Sequence, residues 1–242
     1  MKGYKANTVK SILFNTKPVL VTGFHGYGAV GYLATRYMVS KLGMELIGFI
    51  ETPFVVDFTS VEEYGFSKPH EIFAKQLNDI GVIVVLNRVN PERRFISSYV
   101  KAFIDIVINF NVDEVFLIGG LDMRFREGVE EFRWLKTKSS RRELNAPYFI
   151  RGAYIVGPLA SLILALNEYN IPATAIFPYT EPESVDHRAA ASAIKILSSI
   201  LNISIDITEL VSYAEKIEEM EKIIQGMYTQ QQIEKKESVM HT

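Results

Sequence analysis

The sequence predicts an α/β fold, on three observations. Short, β-branched apolar runs bounded by turn residues recur at 17–22, 81–86, 114–118 and 173–177. Between them lie segments whose apolar residues repeat at three- and four-residue steps, the period of a helix. The first run passes through a glycine-rich loop, Gly23 to Gly31, directly into such a segment, which is the strand–loop–helix order of a βα unit.

Taken in order, Lys17-Pro-Val-Leu-Val-Thr22 is a short buried strand. Val30 to Leu42 is a helix with Leu33, Ala34, Tyr37, Met38 and Leu42 at helical spacing, and Gly43 stops it. Glu45 to Ile50 is the next strand, so that 17–50 form a parallel βαβ unit. Pro53, Gly65 and Pro69 make 52–69 irregular. Strands at 71–76 and 81–86 meet across an Asn78-Asp79 turn. Pro91 opens a helix to about Asn109 with Phe95, Tyr99, Phe103, Ile106, Val107 and Phe110 on one side. A strand at 114–118 ends in Gly119-Gly120, and 123–145 is charged and mixed. A helix at 158–167 and a strand at 173–177 follow. Asp186 caps a helix to about Leu201, and Thr208 caps a last one. The expected organisation is an α/β domain over 1–206, a C-terminal helix over 207–229 and a polar, flexible tail over 230–242.

Composition narrows the function classes. The 242 residues suit one large domain, and a hydrophobic content of 48% is enough for a sizeable core. With no cysteine there is no disulfide framework, thiolate metal site or cysteine nucleophile, which favours a reducing compartment and fits a heat-adapted source. The net charge of −2 supplies no global field for nucleic acid or anionic lipid. The N-terminus lacks an apolar stretch of signal type, and the longest apolar segment, Tyr154 to Leu166, is interrupted by Gly157, Pro158 and Ser161. A cytoplasmic protein without membrane or nucleic-acid partners is expected.

Gly26-Tyr-Gly-Ala-Val-Gly31 is a literal G-x-G-x-x-G between strand and helix, and Glu51 stands twenty residues beyond it at the next strand end. That imitates a dinucleotide fingerprint, in which glycines admit a pyrophosphate and an acid holds the ribose. Two features oppose it. Gly23 already takes the place after the strand, and His25 and Tyr27 would crowd a pyrophosphate. The structural alternative is a tight turn in which Gly28 and Gly31 allow helix and strand to approach closely.

The same stretch, Pro18-Val-Leu-Val-Thr-Gly-Phe-His-Gly-Tyr-Gly-Ala-Val-Gly31, resembles the opening of the archaeal proteasome assembly chaperone family, second-subunit type. Further matches follow in order: Lys41-Leu-Gly43, Leu117-Ile-Gly-Gly120, Gly157-Pro-Leu-Ala160, Ile171-Pro-Ala173 and Glu181-Pro-Glu-Ser-Val-Asp-His-Arg-Ala-Ala190, which leads into Leu201-Asn-Ile-Ser-Ile-Asp206. The resemblance spans about residues 10 to 225; Pro158-Leu159 stands where the family often has a Gly-Leu pair. It implies a three-layer α/β/α sandwich similar to nucleoside-phosphorylase-like folds, homo-oligomers, and a non-enzymatic chaperone or adaptor that binds proteasome α subunits or rings without a cofactor. Some relatives carry an ATP-grasp-like label, but no order of lysine and metal-binding carboxylates of that kind is visible here. The alternative is an α/β enzyme or nucleotide-binding protein using the loop 23–31.

None of His25, His70, His187 and His241 is spaced as a metal pair. His25, Tyr27, Glu51 and Asp57 could form an acid–base cluster beside Gly26, Gly28 and Gly31, or be rim residues bonded to the backbone. Arg124, Arg126, Arg133, Lys136, Lys138, Arg141 and Arg142, with Phe125, Phe132 and Trp134 among them, invite a single-strand-binding reading; Glu127, Glu130, Glu131 and Glu143 dilute it toward a solvated loop or an acidic protein partner. Leu210, Tyr213, Ile217, Met220, Ile224 and Met227 form a seam of under three heptads, either an oligomer helix or a helix docked on its own domain. Proteasome activators commonly end in a hydrophobic residue, a tyrosine and any residue. Met240, His241 and Thr242 resemble that pattern, with histidine in the tyrosine place, and are the candidate partner-binding residues.

Overall fold

The computed structural model describes residues 3–216. In chain order the elements are β1 (Lys5–Thr8), β2 (Val19–Gly23), α1 (Val30–Lys41), β3 (Glu45–Glu51), β4 (Val61–Glu62), β5 (Gly65–Phe66), β6 (His70–Leu77), β7 (Ile80–Asn87), α2 (Ile96–Asn109), β8 (Val115–Ile118), β9 (Leu121–Asp122), β10 (Phe132–Lys136), α3 (Gly157–Glu168), β11 (Ala173–Thr180) and α4 (His187–Leu201). Among the described residues nine strands form one mixed sheet in the order β1-β3-β6-β7-β2-β8-β11-β10, with β9 paired to β11; β4 and β5 form a separate two-stranded ribbon. Strands β7, β2, β8 and β11 are parallel. The pairings β1–β3, β3–β6, β6–β7 and β10–β11 are antiparallel.

Alternation along the central strands builds two cores. Leu20, Ile83, Val85, Val115 and Leu117 pack under α2 and α3, with Tyr99, Phe103 and Leu162. Val21, Val84, Phe116 and Ile118 pack on the other face under α1 and α4, with Met38, Ile194 and Leu197. The result is a three-layer α/β/α sandwich. Strands buried on both faces carry unbroken apolar runs, which is why they read so clearly in the sequence.

The helix ends follow local chemistry. Gly43 adopts φ 55 just past α1, and Asn111, Asn170 and Asn202 adopt φ 49, 54 and 52 past α2, α3 and α4. Asparagine tolerates the left-handed region and here replaces glycine at three of the four stops. At the start of α4, Asp186 accepts a hydrogen bond from the Ala189 amide at 2.8 Å. Residues 208–216 are helical, but the accepting side chain at that start is Asp206, which takes the Thr208 amide at 2.9 Å; Thr208 lies inside the helix.

Three expectations are corrected. Strand β3 runs parallel to β2 but does not adjoin it, because the β6–β7 hairpin is inserted between them. The charged stretch 123–145 is not all loop, since β10 closes one edge of the sheet there. The helix expected from Pro91 begins at Ile96, after a 3-10 turn over Arg93–Phe95. The expected Asn78-Asp79 turn does join β6 to β7, with Asn78 at φ 43 and Leu77 opposite Ile80. Among the described residues no helix is long and apolar enough to cross a membrane.

Candidate functional site

The chain leaves β2 by α1 on one face, toward β3, and later leaves the β8 side by α3 on the other face, toward β11. Where two neighbouring parallel strands send their chains apart, a crevice opens at their C-terminal ends. Here it is a cavity of about 760 Å³ lined by the glycine loop, Gly119-Gly120, the segment 149–156 and the first turn of α3. Phe24, Leu159 and Phe177 form its buried floor, and the Phe149 ring lies tilted against Phe177 with centroids 4.6 Å apart. Tyr27, Phe125, Tyr154 and Val156 line the mouth and are 48%, 49%, 92% and 72% exposed. An open apolar rim of this kind is a feature of surfaces that bind other molecules.

The glycine loop is held by packing and by the exit of β7. A Cβ on Gly31 would stand 2.4 Å from the Ile118 carbonyl oxygen and 2.8 Å from the Phe24 nitrogen. Gly28 has φ 62, and a Cβ there would meet Thr180 Oγ1 at 2.0 Å. Gly26 has open space around it. The His25 ring nitrogen Nε2 lies 3.0 Å from the Arg88 carbonyl, and its ring stacks on Tyr32 at 4.0 Å. Asn90 donates to the His25 carbonyl at 2.8 Å. Burial lowers the pKa of His25, and the Arg88 carbonyl partly opposes that.

His25 and Tyr27 both line the crevice, but Glu51 and Asp57 are elsewhere. Register places Glu51 level with the loop, yet β7 and β6 stand between β2 and β3, a lateral separation of about 14 Å at ordinary strand spacing. Glu51 accepts from Asn7 Nδ2 at 3.3 Å, and Asp57 is exposed on the irregular segment 52–69. A ribose-binding acid would have to end a strand beside β2; those strands are β7 and β8, and they end in Asn87 and Ile118. Among the described residues no group of three or more metal-binding side chains is placed to hold an ion.

Two buried polar networks brace the site, and sequence reasoning missed both. Asn87 accepts from the Tyr99 hydroxyl at 2.7 Å and meets His70 Nδ1 at 2.9 Å. Its amide donates to Thr22 Oγ1 at 3.0 Å and to the Gly23 carbonyl at 3.1 Å, tying β7 to the root of the glycine loop. In the second network the fully buried Glu71 carboxylate accepts from Arg88 Nε at 2.7 Å, the Tyr64 hydroxyl at 2.9 Å and the Lys68 amide at 3.0 Å. Burial and the neighbouring Glu71 charge push the Tyr64 pKa up. Only the runs Gly81–Leu86 and Glu71–Gln76 signalled strands; no pattern marked which polar residues would turn inward.

The basic stretch is largely self-neutralised. Arg124 pairs with Asp122 at 2.5 Å, Arg133 with Glu127 at 2.6 Å, Arg142 with Glu114 at 2.6 Å, and Lys136 with Glu143. Trp134 is 3% exposed and donates Nε1 to the Ala146 carbonyl at 2.9 Å, so its ring offers no stacking platform for a base. Of the C-terminal seam, Leu210 is buried against the α1/α4 core, and Tyr213 is 54% exposed with His187 against its ring at 4.6 Å. Lys41 pairs with Glu209 at 2.6 Å. Ile217, Met220, Ile224, Met227, Met240, His241 and Thr242 lie outside the described residues.

The fold and its crevice thus define an α/β/α domain built on a mixed sheet. The model of the PAC2 family matches residues 20–225, and the chain belongs to that family. No curated protein is significantly similar to it. Among solved structures, Pyrococcus furiosus PbaB, described as an archaeal proteasome activator, superposes with a TM-score of 0.77 at 18% identity over 93% of this chain and 100% of its own. P. furiosus PbaA, an archaeal homolog of proteasome-assembly chaperone, gives 0.75 at 21% identity over 89% and 94%. The proteasome-assembly chaperone homologue Rv2125 of Mycobacterium tuberculosis gives 0.64 at 16% identity over 84% and 94%. At these identities the likeness is one of fold.

Proposed function

We propose that this protein is a non-enzymatic chaperone or adaptor that binds proteasome α subunits or rings, working as a homo-oligomer in the cytoplasm. The observation that carries this is the crevice: an apolar cavity at the sheet's switch point whose aromatic mouth is open to solvent. His25, the titratable ring at its edge, is occupied with the Arg88 carbonyl and with Tyr32. Membership of the PAC2 family, and neighbours described as proteasome assembly chaperone homologues or activators, supply the direction of the reading. Within it, Met240, His241 and Thr242 are the candidate docking residues, and several copies of that segment on one oligomer would add avidity.

The test is a pull-down of recombinant archaeal proteasome α subunits with the tagged full chain. Co-elution with α subunits or their rings is the expected result, weakened when residues 240–242 are removed while the melting temperature stays unchanged. Absence of α subunits from the eluate at micromolar concentrations of both proteins would remove the proposal.

A further inference from the structure

The segment between β3 and β6 forms an arm with an unusual surface. Val55, Phe58, Val61 and Phe66 are 94%, 46%, 81% and 73% exposed. Val61 and Phe66 are direct cross-strand partners in the β4–β5 ribbon, so they present one apolar tip. The arm is anchored at its base rather than loose. Arg88 reaches Glu62 at 2.8 Å and the Tyr64 hydroxyl at 2.7 Å, Tyr64 packs edge-on to Phe73 at 5.4 Å, and Phe54 lies against Tyr4 at 6.3 Å. These contacts hold the arm over its own β6–β7 hairpin, on the far side of β7 from its own crevice. Its exposed tip is therefore available to another molecule.

Charge narrows what that molecule is. Residues 51–66 contain Glu51, Asp57, Glu62 and Glu63 and no lysine or arginine. Asp57 and Glu63 are exposed. The crevice has the opposite character. Its wall, residues 149–159, contains one charged residue, the exposed Arg151, and no acid. The positive end of the 12-residue helix α3 opens into it. An apolar cavity with no acid in its lining, and with Arg151 and a helix N-terminus beside it, fits an apolar segment studded with carboxylates. The arm of a second copy has that composition, and both features open on the same edge of the sheet, since β3 and β2 run in the same direction.

We propose that the arm 52–66 of one copy seats in the crevice of a second copy of this chain, with Val61 and Phe66 entering the apolar mouth and Asp57 and Glu63 facing Arg151 and the N-terminus of α3. This rests on reading the crevice as a protein-binding surface, but not on the proteasome, because the mass of the protein alone reports it. The contact joins two different surfaces, so it closes into a ring or is made twice in a reciprocal pair.

The experiment uses the full chain, two surface variants and native mass spectrometry with light scattering. Val61→Asp/Phe66→Asp disables the arm, and Tyr154→Asp/Val156→Asp disables the crevice. All four side chains are mostly exposed, and Val156 is the N-cap of α3, where aspartate is favourable, so thermal melts close to the parent's are expected. The parent should be oligomeric and each variant alone monomeric. An equimolar mixture of the two should give a heterodimer, because one intact arm and one intact crevice remain between them. Raised salt should weaken the parent assembly. A monomeric parent, variants that keep the parent's mass, or two monomeric variants that do not combine would each overturn the pairing.

Discussion

The backbone of Gly31 approaches the carbonyl oxygen of Ile118 so closely that a Cβ on residue 31 would lie 2.4 Å from it. The helix after the glycine loop is thereby pressed onto the end of β8. Gly31→Val puts three carbons where there is no room for one, and the obstacle is backbone that cannot rotate away. A loss of about 3 kcal/mol is expected in chemical denaturation. Gly26→Ala should be nearly neutral, because its neighbourhood is open and its φ of −120 is ordinary for any residue. Equal stability of the two variants would refute the packing account of the loop.

The inserted hairpin leads to a second prediction. Because β7 and not β3 adjoins β2, Glu51 cannot complete a ribose site beside the loop. Millimolar NAD or ATP should leave the melting temperature where it is. A nucleotide present at about a hundredfold its dissociation constant would add about 2.7 kcal/mol, a shift that a thermal melt resolves easily. Such a shift, abolished by Glu51→Ala, would restore the nucleotide reading.

What the sequence made legible follows from burial. Val82–Leu86 and Val115–Ile118 are apolar throughout because both faces are covered, and they read as strands on sight. The edges did not. Strand β1, Lys-Ala-Asn-Thr, has no large apolar residue and exists through its pairing with β3. Strand β10 hides Arg133 by giving it Glu127 and the Tyr179 hydroxyl, so its sequence looks like solvated loop. The glycine loop was legible as one wall of a site. The facing wall, 149–156, has no period at all, and the exposed arm at 55–66 differs from ordinary loop only in how many apolar residues it leaves in water. Strand order was out of reach, since a βαβ pattern reads the same whether or not a later hairpin inserts between its strands.

Glu71 and Arg88 supply the third prediction. The carboxylate is fully buried and Arg88 is its cation, with the Arg88 side chain itself 9% exposed. Arg88→Met removes that cation and leaves a buried anion with only the Tyr64 hydroxyl and the Lys68 amide, at an expected cost of about 3–5 kcal/mol. Arg88→Met/Glu71→Leu should recover part of the loss, since no charge then remains inside. The single variant should also release the arm, seen as faster proteolytic cleavage within 55–66. A single variant as stable as the parent would refute the buried Arg88–Glu71 pair as a source of stability.

The last prediction concerns pH and follows from the direction of each hydrogen bond around Asn87. Its amide donates to Thr22 and to the Gly23 carbonyl, so the atom facing His70 is Oδ1, an acceptor. His70 Nδ1 must therefore carry the hydrogen, and Nε2 presents a bare lone pair, buried and without a partner. Protonation would place a charge and an unmatched N–H among Tyr4 and Tyr99, which lie at 5.4 and 5.1 Å. Burial accordingly lowers the His70 pKa to about 4, a shift that the Asn87 contact only partly opposes. An unfolded histidine titrates near 6.5. Between these values the unfolded chain holds a proton that the folded chain lacks, so stability falls as pH falls through that window, by about 3 kcal/mol from this residue. His70→Phe keeps a ring in place and leaves Asn87 Oδ1 its bond from the Tyr99 hydroxyl. Denaturation curves at pH 7.5, 6, 5 and 4 should show a shallower loss of stability in the variant than in the parent, whatever its stability at pH 7.5. Parallel curves would mean that His70 takes up its proton in the folded protein.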